Sequence, residues 1–159
     1  MKKFMTMMAM MLAVVTMCGI MTSCGGDDED NTPAAAKIVG TYVGDMSCTV
    51  STSTSTVEAA EFQVVKVDDS HVNITLPAFG EAPMALPAIT VKNLTVTESN
   101  GTYTIPQTSF DQTLESGKAI ANTAITATIK DGKMHIQFSM KYGSMPFNMI
   151  CECKEATKK

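Results

Sequence analysis

Hydrophobic and polar residues alternate along most of the chain from residue 38 onward. In the run 134–140 every second residue is apolar and the residues between are polar. Alternation with a period of two predicts a β-strand with one buried and one exposed face. Turn signals such as Asn100-Gly101, whose residues tolerate positive φ, separate consecutive runs. The pattern therefore predicts an all-β domain without a substantial helix.

The spacing of these runs predicts eight or nine short antiparallel strands. Sequential hairpins account for nearly all the connections between them, which favours an up-and-down barrel over a sandwich. Closure of the sheet would also remove the exposed strand edges that invite aggregation. Two runs, 57–68 and 89–97, shift their apolar residues from one parity to the other. Each shift predicts a β-bulge or a corner.

The longest irregular segment is 77–87. Its three prolines exclude it from a central strand, yet it contains the apolar residues Phe79, Met84 and Leu86. Such a segment either covers an open end of the barrel as a lid or buries these side chains in the core as a plug. The plug is favoured, because loops usually bury the apolar side chains they carry.

The first thirty residues have a different pattern. Two lysines precede an uncharged apolar run at 4–20, and the small residues Thr22 and Ser23 stand directly before Cys24. This layout is typical of a secretory signal that is cleaved. Two glycines and the consecutive acids at 27–30 then predict a flexible, self-repelling tether. The predicted organisation is a signal peptide at 1–23, a tether at 24–37, the barrel at 38–154 and a tail at 155–159.

The segment around Cys24 resembles the lipobox of bacterial lipoproteins. Met21 stands where leucine is usual, and Ser23 where glycine or alanine is usual. The resemblance implies that Cys24 is joined to lipid, which anchors the domain to a membrane without a spanning segment. The acids that follow resemble the signal that sends Bacteroidota lipoproteins to the outer leaflet. They imply an outer-membrane lipoprotein exposed at the cell surface.

Charge and motifs argue against several function classes. After removal of the leader the chain carries ten lysines, no arginine and sixteen acids, of which four lie in the tether. That balance argues against nucleic acid as a partner. The sequence contains no nucleophile elbow, no HExxH motif and no phosphate-binding loop, so we expect neither an enzyme nor a cofactor. His71 and His135 fall on the polar parity of their strands and are expected to face solvent, which argues against a metal site.

Three cysteines remain in the predicted barrel: Cys48, Cys151 and Cys153. The first and last strands of a closed barrel are neighbours, and all three cysteines share the apolar parity of those strands. An exported protein lies in an oxidising environment, which favours a disulfide. We expect Cys48 to pair with either Cys151 or Cys153 and to leave the other as a free thiol. Ligation of zinc by the three sulfurs is the weaker alternative, because no histidine supports it.

Segments 38–44, 89–96 and the turn Asp131-Gly132-Lys133 together resemble the calycin-like domain of Bacteroidota lipoproteins, and the likeness covers most of 38–153. The resemblance implies a calycin/lipocalin-like barrel whose interior holds a small apolar ligand. It implies no catalytic residues. Tyr42 stands near the place where many lipocalins carry a tryptophan in the first strand.

Two functional hypotheses follow. In the first, a monomeric, non-enzymatic barrel binds a small apolar or glycan-derived ligand, or passes it to an outer-membrane protein partner. The residues expected to contact the ligand are Tyr42, Phe79, Met84, Leu86 and Phe138. In the second, the barrel is a structural or interaction module, an inhibitor or an assembly partner, whose interior is filled by its own side chains. The interior volume discriminates them. A barrel packed by Phe62, Phe110, Phe138 and Phe147 would favour the second.

Overall fold

The computed structural model describes residues 31–82 and 85–159. The predicted signal peptide, Cys24, the acids of the tether and Met84 lie outside the described residues. Residues 32–159 form one compact unit. It contains the helix α1 (Ala34–Ile38) and the strands β1 (Gly40–Val50), β2 (Ser53–Lys66), β3 (His71–Leu76), β4 (Ile89–Thr95), β5 (Thr97–Ser99), β6 (Thr102–Thr108), β7 (Gln112–Thr113), β8 (Ala119–Lys130), β9 (Lys133–Tyr142) and β10 (Met149–Lys158).

All ten strands belong to one sheet, in the order β4-β3-β2-β1-β10-β9-β8-β6-β5, with the short β7 paired to β8. Every pairing is antiparallel, and the hairpins β1–β4 and β8–β10 place chain neighbours side by side. The first strand pairs with the last, with Cys48 opposite Cys151. The predicted all-β antiparallel barrel is thereby confirmed. In the part of the chain that the structure describes, no helix is long and apolar enough to cross a membrane.

The barrel is nearly closed because β4 and β5 are two halves of one bent run. β4 pairs with β3, β5 pairs with β6, and only Val96 separates them. At this point the main-chain N–H of Val96 donates to the carbonyl of Ser70, at 2.8 Å, in the turn between β2 and β3. The continuous segment formed by β4 and β5 thus supplies the edge strand at both ends of the sheet.

A bulge explains one of the two shifts of parity, and the other prediction is wrong. In β4 the register shifts opposite Val72 and Ile74, and Asn93 has φ 56°, so that apolar residues before and after it all face the core, as predicted. In β2 the pairing is regular from Gln63 to Lys66, so no bulge separates Val64 from Val65. The irregularity of this strand lies earlier, at Ala59, which has φ 49° and whose N–H donates to Asp45 Oδ1 at 3.0 Å. Val65 is exposed on the outer face.

Both ends of the domain are more ordered than the sequence pattern indicates. Residues 34–37, predicted as tether, begin α1, which buries Ala35 and Ile38 against the core. The N–H of Ala35 donates to the carbonyl of Asp69 at 3.4 Å, which holds α1 against the β2–β3 turn. At the other end β10 continues to Lys158 through the segment predicted as a tail.

A glycine allows β10 to pass close to β1. A Cβ atom on Gly44 would lie 2.5 Å from the carbonyl oxygen of Glu155 and 2.9 Å from Cys153 Sγ. No side chain fits at such distances without displacement of the main chain of β10. Gly44 stands where the pairing of β1 with both neighbours is irregular, and this bend helps the sheet to close.

Candidate functional site

The inside of the barrel is filled by side chains. Residues at alternate positions of the long strands point inward, and the apolar core residues are between 0 and 8% exposed. The largest of those that are almost fully buried include Tyr42, Met46, Phe62, Ile74, Leu94, Ile105, Ile125, Met134 and Phe138. A side chain that lined a void large enough for a water molecule would keep accessible surface towards it. The described core residues keep almost none, so they enclose no room for a ligand.

Two of the predicted ligand-binding side chains, Tyr42 and Phe138, belong to this core, and each is 1% exposed. The Tyr42 hydroxyl donates to the carbonyl of Ile38 at 2.9 Å, which ties β1 to α1. Burial raises the pKa of Tyr42 to about 12. Both residues stabilise the barrel by packing, and a contact of either with a ligand stays a prediction.

The loop between β3 and β4 packs onto the core. Main-chain hydrogen bonds run in both directions between Phe79 and Leu86, with N···O distances of 3.1 and 2.8 Å. Leu86 is buried, and Phe79 packs partly buried against the core. This arrangement is that of a plug rather than a lid. Met84, the third apolar residue of this prediction, lies outside the described residues.

Of the four phenylalanines whose packing inside the barrel would favour the second hypothesis, Phe62, Phe110 and Phe138 are buried. Phe147 does not join them and is 53% exposed. Its parity would place it beside Met149 on the inner face, but β10 begins only at Met149. Phe147 therefore lies in the bend before the strand, where the alternation of a strand does not apply.

The cysteines form one disulfide, between Cys48 of β1 and Cys151 of β10, with a Cα–Cα distance of 4.1 Å. Cys153 is a buried free thiol. The sequence left either Cys151 or Cys153 as the partner, and the register of β1 with β10 decides for Cys151. Burial raises the pKa of Cys153, so that its thiol stays protonated and unreactive.

The histidines lie on the outer side, as their parity predicts. His71 Nδ1 is 2.8 Å from Asp68 Oδ1, and His135 Nε2 is 2.9 Å from Glu152 Oε1. The N–H of Ser70 and the His71 side chain lower the pKa of Asp68. Among the described residues no three His, Cys, Asp or Glu side chains come together as metal ligands would.

A buried threonine fastens the loop before β7 to β8. The N–H of Phe110 donates to Thr123 Oγ1 at 2.6 Å, and that hydroxyl donates to Asp111 Oδ1 at 2.6 Å. The hydrogen bonds from Thr123 lower the pKa of Asp111. In the described part of the chain no buried side-chain nitrogen or oxygen lacks a partner. These polar contacts serve the fold.

The outer face of the barrel carries a groove of about 210 Å³ across β6, β8, β9 and β10. Its lining residues are Gln107, Ala124, Ile125, Thr126, Gln137, Phe138, Ser139 and Ile150. Two rungs of the sheet build it. Ser139 pairs with Ala124 on one side and Ile150 on the other, and Gln137 pairs with Thr126. The small side chains of Ala124 and Ser139 leave the depression, and longer side chains surround it.

A bulge completes the groove. The pairing of β6 with β8 shifts between Ile105 and Thr108, where Pro106 lacks an N–H for the ladder. Gln107 lies within this shift and lines the groove. The Thr126 hydroxyl donates to the carbonyl of Ile105 at 3.0 Å, which fixes the wall of the groove. We name this feature, with its eight lining residues, the outer groove.

The comparisons with known proteins agree with this architecture. Residues 38–152 match the calycin-like beta-barrel domain family. The chain belongs to that family. A comparison of the calycin-like chain with curated proteins finds no match.

A solved structure shows the same fold. It is a crystal structure of a protein from Bacteroides fragilis named a "putative outer membrane protein", with a TM-score of 0.67 and 22% sequence identity. The likeness covers 80% of the calycin-like chain, and the chain spans about half, 53%, of that protein. At this identity the likeness shows the fold.

The outer groove is the feature that sequence reasoning missed. Most of its residues, among them Thr126, Gln137 and Ser139, stand on the outward parity of their strands, where polar side chains usually only face water, whereas Ile125 and Phe138 belong to the core beneath them. The signal available in the sequence was a pair of small residues, Ala124 and Ser139, among longer outward side chains. Their meeting in one rung of the calycin-like barrel depends on the register between β8 and β9, which shifts between Ala121 and Ala124.

Proposed function

We propose that this protein is a non-enzymatic, lipid-anchored recognition module of the outer membrane, displayed at the cell surface, which binds its partner with the outside of its barrel. The observation that carries this proposal is the filled interior. A calycin-like barrel that carries an apolar molecule needs a cavity, and cavities for drug-sized ligands measure roughly 300–1,000 Å³. Here side chains such as Phe138 and Tyr42 occupy that space. This favours the interaction-module hypothesis over an internal ligand.

The proposed location rests on the leader. The apolar run, the small residues before Cys24 and the acids after it form the pattern of an exported lipoprotein. The fold shared with the Bacteroides fragilis protein named a "putative outer membrane protein" supports the same location. The absence of catalytic motifs from the sequence supports a binding role.

Anchoring and display are tested on whole cells of the host that makes the protein. Replacement Cys24→Ala should move the protein from the membrane fraction to the soluble or unprocessed fraction, whereas Cys153→Ala should leave it in the membrane. Proteinase K added to intact cells should degrade the wild type. A chain that is protected in intact cells and degraded only after lysis would place it on the inner leaflet and contradict display.

The filled interior is tested by native mass spectrometry of the full lipidated chain, purified from its host in detergent. We expect the mass of the mature lipidated chain alone, with no retained apolar molecule. The Phe138→Ala variant is the control, because its cavity should admit a small apolar probe such as benzene. A fatty acid or other apolar molecule held stoichiometrically by the wild type would show that the core opens, and would replace our proposal by that of an internal carrier.

A further inference from the structure

The outer groove differs from the rest of the surface in its chemistry. None of its eight lining residues is charged, although charged side chains make up 18% of the chain. Glu152 stands just outside the groove in its second rung, where it pairs with Gln137 across the sheet and lies 2.9 Å from His135 Nε2. The depression is therefore neutral, and the nearest carboxylate has a partner of its own.

The polar groups of the outer groove are available to a ligand. The side chains of Gln107, Gln137 and Ser139 make no hydrogen bond with another group of the described residues. Thr126 uses its hydroxyl hydrogen as a donor to Ile105 and keeps its oxygen as an acceptor. Amides and hydroxyls together offer donors and acceptors in nearly equal number, which suits a ligand whose own groups both donate and accept.

Size and apolar contact narrow the class of ligand further. At about 210 Å³ the outer groove is smaller than a site for a drug-sized molecule, and it suits one ring-sized unit. Ile150, 48% exposed, forms an aliphatic wall at its side. A ring that carries hydroxyl groups at its edge and C–H groups on its face complements this combination.

We propose that the outer groove binds one ring of a neutral sugar. A carboxylate or phosphate ligand finds no cation among the lining residues, and Glu152, beside Gln137 in the second rung, repels it. A purely apolar ligand would remove water from two amides and two hydroxyls without replacing their hydrogen bonds, which is costly. The sugar hydroxyls replace those bonds, and the ring face packs on Ile150.

This inference rests on the proposed function, since it assumes recognition on the outside of the barrel. Its test is NMR spectroscopy of the full chain in detergent micelles, with the side-chain NH₂ signals of Gln107 and Gln137 as reporters. The probes are glucose, galactose, mannose and N-acetylglucosamine, and glucuronate serves as the charged control. For so small a ligand we expect a Kd in the millimolar range. At least one neutral sugar should shift both signals in a saturable way, and glucuronate should bind more weakly.

Substitutions in the outer groove test whether the sugar binds there. Gln137→Ala removes a hydrogen-bonding partner and should weaken binding about tenfold, and Ala124→Met should do the same by filling the floor. Gln63→Ala is the matched control, an exposed glutamine of β2 outside the outer groove, and should leave the Kd unchanged. Ala124→Met keeps all polar groups of the groove, so its effect reports lost space and not lost hydrogen bonds.

Three results would overturn the inference: no saturable shift with any of the four sugars, equal binding of glucuronate, or equal weakening by Gln63→Ala. None of these results contradicts the proposed function. That function fails only if the interior holds an apolar molecule or if the chain is not displayed at the cell surface. A sugar that binds while an apolar molecule fills the interior would leave the sugar site standing as a second site.

Discussion

Removal of the disulfide between Cys48 and Cys151 should cost a large part of the stability of the fold. The two residues are 103 positions apart, so the bridge closes almost the whole domain into one loop. In the chain-entropy model a loop of about 100 residues contributes about 4.7 kcal/mol at 25 °C by restricting the unfolded chain. A domain of ordinary stability has about 5–15 kcal/mol in total. The double variant Cys48→Ala/Cys151→Ala should therefore melt roughly 15–20 °C lower than the wild type.

The measurement is thermal unfolding followed by far-ultraviolet circular dichroism, with and without reductant. Cys153→Ala is the matched control, because it removes a buried thiol of the same strand and keeps the bridge. It should cost about 1 kcal/mol, and reductant should lower its melting temperature as it does that of the wild type. Alkylation of the unfolded mature chain, read by intact mass, should label one cysteine without reductant and three with it.

The reasoning fails if the double variant melts within a few degrees of the wild type, because the loop would then contribute nothing. A different error is shown if reductant no longer lowers the melting temperature of the Cys153→Ala variant. That result would mean that Cys153 carries the bridge and that the register between β1 and β10 is shifted by two residues.

Three further substitutions test the packing and the buried polar groups. Phe138→Ala should lower the free energy of unfolding by about 3–5 kcal/mol because it leaves a cavity, whereas the half-exposed Phe147→Ala should cost about 1 kcal/mol or less; urea unfolding measures both. Thr123→Val leaves the buried N–H of Phe110 without its acceptor, so the free energy of unfolding should fall by about 1–3 kcal/mol. Thr128→Val, on the exposed face of the same strand, is the control, and an equal loss of stability there would contradict this reason. Tyr42 holds its proton more tightly in the folded protein, where its pKa is about 12, than in the unfolded chain, where it is about 10. The contribution of Tyr42 to stability is therefore complete below a pH of about 10 and is lost as the pH rises from about 10 through 12. Absorbance at alkaline pH should show one tyrosine that ionises late, and Tyr42→Phe should remove that phase.

Much of the fold could be predicted because it depends on local pattern. The alternation in 134–140 became β9, with Phe138 inward and its neighbours outward. The turn signals were equally reliable: Asn100 and Asp131 adopt positive φ, and a glycine follows each. Closure of the barrel alone predicted that the first and last strands are neighbours, and this pairing brings Cys48 close to the cysteines of β10.

What could not be predicted depends on register and on strand ends. Cys151 and Cys153 have the same parity, so the alternation cannot choose between them; only the alignment of β1 with β10 does. Phe147 also has the inward parity, but its strand has not yet begun there. At the other end of β10 a bulge between Cys153 and Ala156 interrupts the alternation. That break hid the last residues of the strand, which were predicted as a tail.

The outer groove belongs to a longer neutral surface, and this allows a final prediction. Along its first rung Thr54 pairs with Thr49, Thr49 with Ile150, and Ile150 with Ser139, so hydroxyl and aliphatic side chains continue from β9 to β2. Neighbouring strands are about 4.8 Å apart, so this rung extends roughly 14 Å beyond Ser139. A single sugar ring covers only its end, and a second and third unit would meet Thr49.

If the outer groove holds a sugar, a trisaccharide of the same sugar should therefore bind more tightly than the monosaccharide. Thr49→Ala should weaken the trisaccharide several-fold, because its hydroxyl, which shares a 2.9 Å hydrogen bond with Thr54, no longer meets the ligand. It should leave the monosaccharide unchanged. Thr41→Ala, at the other end of β1, is the matched control and should affect neither. Equal Kd values for the two sugars would confine recognition to the groove itself. A loss of monosaccharide binding in Thr49→Ala would contradict a separate contact at Thr49, because only a ligand that follows the rung should distinguish this variant from the wild type.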